Sequence, residues 1–136
     1  MAQRPQLARL AAWRAGDARA LRRLIDGTGS TLDGHGVELY RRLLARPGHV
    51  AGALAMMAGW NLAPLALALP RLQTPVLVIV GEGDRTVPPA QAGDALARLR
   101  SARPVELQRL PGLGHLAHEE APAHVAELLA RWFVSA

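Results

Sequence analysis

The stretch PVLVIVGEGD at residues 75–84 constrains the fold of this chain more than any other part of the sequence. Its branched apolar residues run without alternation and end abruptly in glycine and aspartate, which is typical of a parallel strand buried on both faces. A helical pattern at 90–101, a strand-length segment at 104–110 and a second helical pattern at 118–136 follow. In the last helix, one apolar stripe carries Val125, Leu128, Leu129, Trp132 and Phe133. The order strand, helix, strand, helix predicts an α/β fold with two adjacent parallel strands joined by a right-handed crossover.

The first seventy residues show helical spacing and no good strand. The apolar groups are Leu7, Leu10 and Ala11; Leu21, Leu24 and Ile25; Leu39, Leu43 and Leu44; and Val50, Leu54 and Met57. The turn-like GTGSTLDGHG at 27–36, Pro47 and Pro64 interrupt this pattern, so several short helices are expected. We therefore predict a helical segment at 1–69 and a βαβα core at 70–136.

Two side chains that can carry chemistry follow the predicted strands directly. Asp84 comes after the first strand and His115 after the second. Because the carboxyl ends of parallel strands meet at one edge of a sheet, both should face the same crevice. There the aspartate can accept the Nδ1 proton of the histidine and leave Nε2 free as a base. From spacing alone, the alternatives that Asp84 only caps a turn and that His115 only fills its glycine-rich loop stay open.

Composition excludes several classes of function. The chain has no cysteine, and its sixteen basic residues, all arginine, give a net charge of +5. These arginines are scattered and few aromatics accompany them, which disfavours nucleic-acid binding. His115 and His118 do not have the H-E-x-x-H arrangement and no third ligand is evident, so neither a metal nor a cofactor is expected.

Location follows from the apolar segments. The N-terminus lacks the uninterrupted apolar region of a secretory signal, which favours the cytoplasm. Residues 50–69 are uncharged over the length of a membrane span, but they are alanine-rich and interrupted by Gly52, Gly59, Asn61 and Pro64. This pattern favours short buried or interfacial helices over a span, and it leaves contact with a membrane surface open.

GEGDRTVPP at 81–89 and LPGLGHLAHEEAP at 110–122 resemble the last two strands of α/β-hydrolases, with the patterns G-x-x-D-x-x-V-P and G-H-x-x-x-x-E-x-P. The resemblance implies that Asp84 is the acid and His115 the base of a Ser-Asp-His triad, with Glu120 and Pro122 at the start of the final helix. The family places its serine on a G-x-S-x-G elbow, which this chain lacks. Ser30 lies in GTGST without the second glycine, and we expect it to serve in a turn or helix cap.

The helical half adds a more specific resemblance. IDGTGSTLDGHGVELYRRLL and PGHVAGALAMMAGWNLAPL look like the α/β-hydrolase-fold magnesium-chelatase accessory proteins of bacteriochlorophyll biosynthesis. The resemblance implies a partial α/β-hydrolase: a helical lid segment followed by the closing strands, associated with magnesium insertion. Without elbow and oxyanion hole, the isolated chain is expected to be inactive. The alternative is a noncatalytic accessory module that binds a tetrapyrrole or a chelatase subunit.

The lid segment supplies the candidate ligand pocket. Met56, Met57 and Trp60 can form an adaptable apolar ceiling for a large ligand, although plain lid packing explains the same residues. Arg41, Arg42 and Arg85 can meet ligand carboxylates through bidentate hydrogen bonds, although a solvated surface role is favoured for each of them. The outer edge of the first strand is expected to be open, and its partner to be a missing N-terminal hydrolase half or a second copy of the chain.

Overall fold

The computed structural model describes residues 17–135, and these residues form two compact units. Unit 1 comprises residues 17–26 and 32–61, and unit 2 comprises residues 27–31 and 62–135. This division differs from the boundary predicted at residue 69, because residues 27–31 and 62–69 group with the strands. The helix predicted around Leu7, Leu10 and Ala11 lies outside the described residues.

Unit 1 is helical, as its periodicity predicts. Its helices are α1 (Ala18–Gly27), α2 (Gly34–Leu44) and α3 (Pro47–Ala58). The Asp33 carboxylate caps α2 by accepting the Gly36 N–H at 2.7 Å, and α3 begins at a proline, which has no N–H that the first turn would leave unpaired. Val50 is buried against Leu44 and Ala51. The starts of α2 and α3 therefore follow from the local sequence.

Unit 2 contains the predicted strand–helix–strand–helix order. Its elements are α4 (Ala63–Ala68), a 3-10 turn (Leu69–Arg71), β1 (Val76–Gly81), α5 (Gln91–Arg98), β2 (Val105–Leu110), α6 (Ala117–Glu120) and α7 (Pro122–Ser135). β1 and β2 pair in parallel, with Val76 opposite Val105 and Gly81 opposite Leu110. The register brings the ends of both strands to the same level. This arrangement confirms the predicted α/β class and the two parallel strands.

The core of unit 2 lies between the sheet and α7. Leu110, Ala117, Val125 and Leu128 form one buried cluster, with Ile79 and Leu113 packed against it. Trp132 is also buried, whereas Leu129 and Phe133 are exposed. The predicted apolar stripe of α7 is therefore too wide, because the two strands that the structure describes cover only part of that face.

β1 departs from the prediction of a strand buried on both faces. Its residues Val76–Val80 are only half-buried, and Gly81 alone is fully buried. Within residues 17–135, β1 pairs with β2 on one edge and with nothing on the other. The apolar sequence is that of an inner strand, whereas the described residues place a neighbour on only one of its edges.

Among residues 17–135, no single helix is long and apolar enough to cross a membrane. The helical segments Pro47–Ala58 and Ala63–Arg71, with a break between them, meet the criteria of length and composition only when taken together.

Candidate active site

The structure brings Asp84 and His115 together in unit 2. The matched register of β1 and β2 places the loops that follow them side by side, and His115 Nδ1 lies 2.8 Å from Asp84 Oδ2. The two residues are 31 positions apart in sequence. The juxtaposition predicted from strand-end placement is therefore present in the fold.

The Asp84 carboxylate is held by three donors. Oδ2 faces His115, while Oδ1 accepts the backbone N–H groups of Thr86 at 2.7 Å and Val87 at 2.8 Å. Burial raises the pKa of Asp84, but the hydrogen bonds from His115, Val87 and Thr86 outweigh it and leave the pKa below its usual value. Asp84 is thus ionised at neutral pH and accepts from every partner.

An ionised Asp84 defines the protonation of the histidine ring. A carboxylate can only accept, so Nδ1 of the neutral ring carries the proton and Nε2 keeps its lone pair. The side chain of His115 is 35% exposed and that of Asp84 10% exposed. The pair therefore combines a shielded orienting acid with an accessible base.

A groove of about 400 Å³ adjoins the pair. It is lined by three consecutive residues of β1, by Asp84 and His115, and by residues of the following loop and α5: Val78, Ile79, Val80, Val87, Pro88, Gln91, Ala92 and Ala95. Because successive side chains of a strand point to opposite faces, a groove that touches three in a row runs along the strand edge. The groove therefore lies along the free edge of β1.

The sequence patterns did not reveal the contacts of residues 27–31, which reach both loops. The Arg85 N–H donates to the Thr28 carbonyl oxygen at 3.0 Å, and the Leu116 N–H donates to Ser30 Oγ at 2.8 Å. Glu120 links residues 27–31 to the loop of His115. Its Oε1 accepts the Thr31 N–H at 2.9 Å, and its Oε2 accepts the Gly114 N–H at 2.8 Å. The motif that contains Glu120 is visible in the sequence, but the partners of that residue, 6 and 89 positions away, are not.

None of the three serines of the chain is placed as a nucleophile. Ser30 is 1% exposed and its oxygen accepts from Leu116. Ser101 donates to the Pro70 carbonyl oxygen, and Ser135 bonds to carbonyl oxygens of its own helix. The expectation that Ser30 has a structural role agrees with these contacts.

The predicted pocket residues belong to unit 1. Met56, Met57 and Trp60 are exposed at the end of α3, and their role as a ligand ceiling stays a prediction. Of the arginines considered, Arg41 and Arg42 both bond to Glu38, at 2.6 and 2.9 Å. Hydrogen bonds from these two guanidinium groups lower the pKa of Glu38 to about 2. Both arginines therefore already have an anionic partner.

Histidine and carboxylate side chains do not assemble into a metal site in the part of the chain that the structure describes. His118 Nε2 lies 3.5 Å from Glu119 Oε1, on the exposed side of α6. Asp84 and His115 are therefore a pair without a third candidate ligand among residues 17–135.

Comparison with known proteins agrees with the fold. Residues 7–122 match the family model of the α/β hydrolase fold, and the chain therefore belongs to that family. It is 44% identical over 109 residues to the magnesium-chelatase 30 kDa subunit of Rhodobacter capsulatus. The aligned segment covers 80% of this chain and 37% of that protein. The crystal structure of a lipase candidate from Acinetobacter baumannii AYE matches with a TM-score of 0.65 at 16% identity, over 93% of this chain and 44% of that one. The chain thus spans less than half the length of either protein.

Proposed function

We propose that this chain supplies the acid and base of a Ser-Asp-His hydrolytic centre whose serine lies outside the 136 residues, and that the centre serves magnesium insertion in bacteriochlorophyll biosynthesis. The observation that carries the chemical part is the 2.8 Å contact between His115 Nδ1 and Asp84 Oδ2. The relative's description as a magnesium-chelatase subunit, at 44% identity, supports the pathway.

The mechanism follows from the protonation of the pair. His115 Nε2 takes the proton of the attacking hydroxyl as the oxygen bonds to the substrate carbonyl carbon, and it later gives that proton to the leaving group. Asp84 stays ionised, holds the ring by Nδ1 and stabilises the imidazolium while it exists. The groove along the free edge of β1 leaves room beside the pair for the strand and elbow that would bring the serine.

The test starts from the reading frame upstream of the Met1 codon. A longer in-frame product with a G-x-S-x-G elbow is expressed and exposed to a fluorophosphonate probe, which bonds covalently to activated serines. We expect labelling in the wild type and its loss in His115→Ala, with His118→Ala as the control because that ring is exposed and outside the pair. Equal labelling of wild type and His115→Ala would refute the hydrolytic role.

A second candidate is a noncatalytic module that binds a tetrapyrrole through the lid segment. The exposed apolar side chains of Met56, Met57 and Trp60 favour it, since soluble proteins rarely leave large apolar groups uncovered in a contiguous patch. Titration with protoporphyrin, followed by porphyrin absorption, separates the two proposals. Saturable binding that Trp60→Ala weakens and His115→Ala does not alter supports the module, whereas absence of binding contradicts it.

A further inference from the structure

The backbone on both sides of His115 is held by side chains that do not belong to its loop. The preceding residue, Gly114, donates its N–H to Glu120 Oε2 at 2.8 Å. The following residue, Leu116, donates its N–H to Ser30 Oγ at 2.8 Å. These two hydrogen bonds fix the backbone from which the His115 ring reaches Asp84.

The residues beside Asp84 are held by backbone carbonyl oxygens. The Gly83 N–H donates to the Leu113 carbonyl oxygen at 2.8 Å, which ties the aspartate loop to the histidine loop. The Arg85 N–H donates to the Thr28 carbonyl oxygen at 3.0 Å. Residues 27–31 are therefore bonded to both loops, from a position more than fifty residues earlier in the chain.

Glycines allow this close approach. Gly29 has φ +83°, and a Cβ there would collide with the Gly83 carbonyl oxygen. A Cβ at Gly114 would collide in turn with the backbone of Gly29. The backbone of residues 27–31 thus packs directly onto the residues that precede Asp84 and His115, where any side chain would force it away.

Glu120 completes the arrangement with a single carboxylate. Its two oxygens accept the N–H groups of Thr31 and Gly114, so one side chain links residues 27–31 to the histidine loop. Hydrogen bonds to an ionised acceptor are stronger and more directional than neutral ones. Among the described residues, Ser30 is the one buried polar side chain, with 1% exposure. Its oxygen makes a second link between residues 27–31 and the histidine loop, by accepting the Leu116 N–H.

From these contacts we propose that Ser30 and Glu120, together with the backbone of residues 27–31, are positioning residues that set the hydrogen bond between His115 and Asp84. The inference rests on the proposed roles of Asp84 and His115. It adds which contacts hold the two side chains in hydrogen-bonding position. Catalytic groups work when they are held within about 0.5 Å of the productive arrangement, which requires supporting contacts of this kind.

The test measures the histidine directly in the 136-residue chain, by NMR of ¹⁵N-labelled histidine at neutral pH. The wild type is expected to show the His115 Nδ1–H tautomer with a hydrogen-bonded, downfield proton resonance. Ser30→Ala removes the acceptor of Leu116, and Glu120→Gln replaces one acceptor oxygen by an amide donor that faces an N–H. Both variants are expected to lose the resonance and shift the ring nitrogens toward a mixture of tautomers.

Matched controls separate positioning from general stability. Ser101→Ala removes an exposed serine of unit 2, and Glu127→Gln neutralises an exposed glutamate of α7. Both should keep the resonance. A residue that only stabilised the fold would lower the melting temperature without altering the His115 signals well below the melt. Retention of wild-type signals in both Ser30→Ala and Glu120→Gln would overturn the inference.

A wild-type chain without the resonance, or one in which Asp84→Asn leaves the ring signals unchanged, would refute the Asp–His pair and with it the proposed function. A response to Asp84→Asn alone would refute only the positioning role. Should Ser30→Ala and Glu120→Gln not fold, amide hydrogen exchange in the wild type decides the question. Strong protection of Gly114 and Leu116 supports the inference, and exchange at the rate of an open loop overturns it.

Discussion

The loop around His115 and the end of α3 around Trp60 differ in how their residues are held. In the first, Gly114 is buried and the neighbours of the histidine donate to partners 6 and 86 residues away. In the second, Met56, Met57 and Trp60 are 58%, 47% and 60% exposed. The contacts around His115 thus lie within unit 2, while the described residues leave the apolar side chains at the end of α3 exposed. The two regions therefore differ in kind: hydrogen bonds fix the backbone around the candidate pair, whereas the candidate binding surface is exposed.

The largest effect is expected from Asp84→Asn, measured as ester hydrolysis in a form of the protein that contains the nucleophile. The amide can still accept from Thr86 and Val87, but its NH2 group faces Nδ1 and stabilises the wrong tautomer of His115. We expect kcat to fall by about 10⁴-fold. Asp94→Asn, at an exposed position of α5, is the control and should leave kcat unchanged. A loss of less than tenfold in Asp84→Asn would show that the pair does not act as acid and base.

The next largest effect concerns the packing of the loops. Gly29→Ala should lower the free energy of unfolding by at least about 2 kcal/mol, from the cost of a left-handed alanine and from overpacking against Gly83. Gly93→Ala, in α5 with open space around its Cβ, should raise it by about 0.4–1 kcal/mol. Urea denaturation of both variants measures these two changes in the free energy of unfolding. Equal stability of the two would mean that residues 27–31 do not pack against the loops in solution.

A smaller effect is expected from acid. Since hydrogen bonds from His115, Val87 and Thr86 keep the pKa of folded Asp84 below its usual value despite burial, the folded chain binds fewer protons there than the unfolded chain. This contribution to stability is complete above about pH 4 and is lost as the pH falls through the folded pKa. The stability difference between wild type and Asp84→Asn should therefore shrink from pH 7 to pH 3. A difference that stays constant with pH, measured by urea denaturation, would contradict the lowered pKa.

The smallest effect is expected at α3. Met57→Gln replaces an exposed apolar side chain and should change the free energy of unfolding by no more than about 0.5 kcal/mol. Val50→Ala, on the buried face of the same helix, should cost about 2 kcal/mol. Thermal or urea unfolding of the two variants tests the contrast. A large cost for Met57→Gln would show that a surface covers it in solution.

Local pattern was sufficient for the fold class and for the pair. The unbroken apolar run at 76–80 indicated a parallel strand, and strand-end placement, with the hydrolase motifs, singled out Asp84 and His115. The strand prediction needs only residues that are close in sequence. The placement of Asp84 and His115 needs, in addition, the rule that a strand–helix–strand unit forms two parallel strands by a right-handed crossover. The same reasoning predicted β1 to be fully buried, which is wrong for the described residues because one edge of the strand has no neighbour there.

The supporting contacts could not be predicted in that way. The sequence of GTGST at 27–31 predicts a turn between helices, and nothing in its periodicity indicates that Ser30 meets Leu116 or that Thr31 meets Glu120. Gly29, Gly114 and Ser30 indicate a close contact between the two loops only once the backbone that each one meets is known. Sequence therefore indicates the candidate acid and base, while their supporting contacts are visible only in the three-dimensional packing.

The position of residues 27–31 in unit 2 also bears on how the chain folds. Ser30 and its partner Leu116 are separated by 86 residues, and Thr31 and Glu120 by 89. Contacts between such distant residues close large loops and form late, after the local helices and the parallel strand pair. During synthesis, residues 27–31 leave the ribosome long before the loop they pack against exists. We therefore expect the geometry of His115 to be among the last features of this chain to be established as it folds.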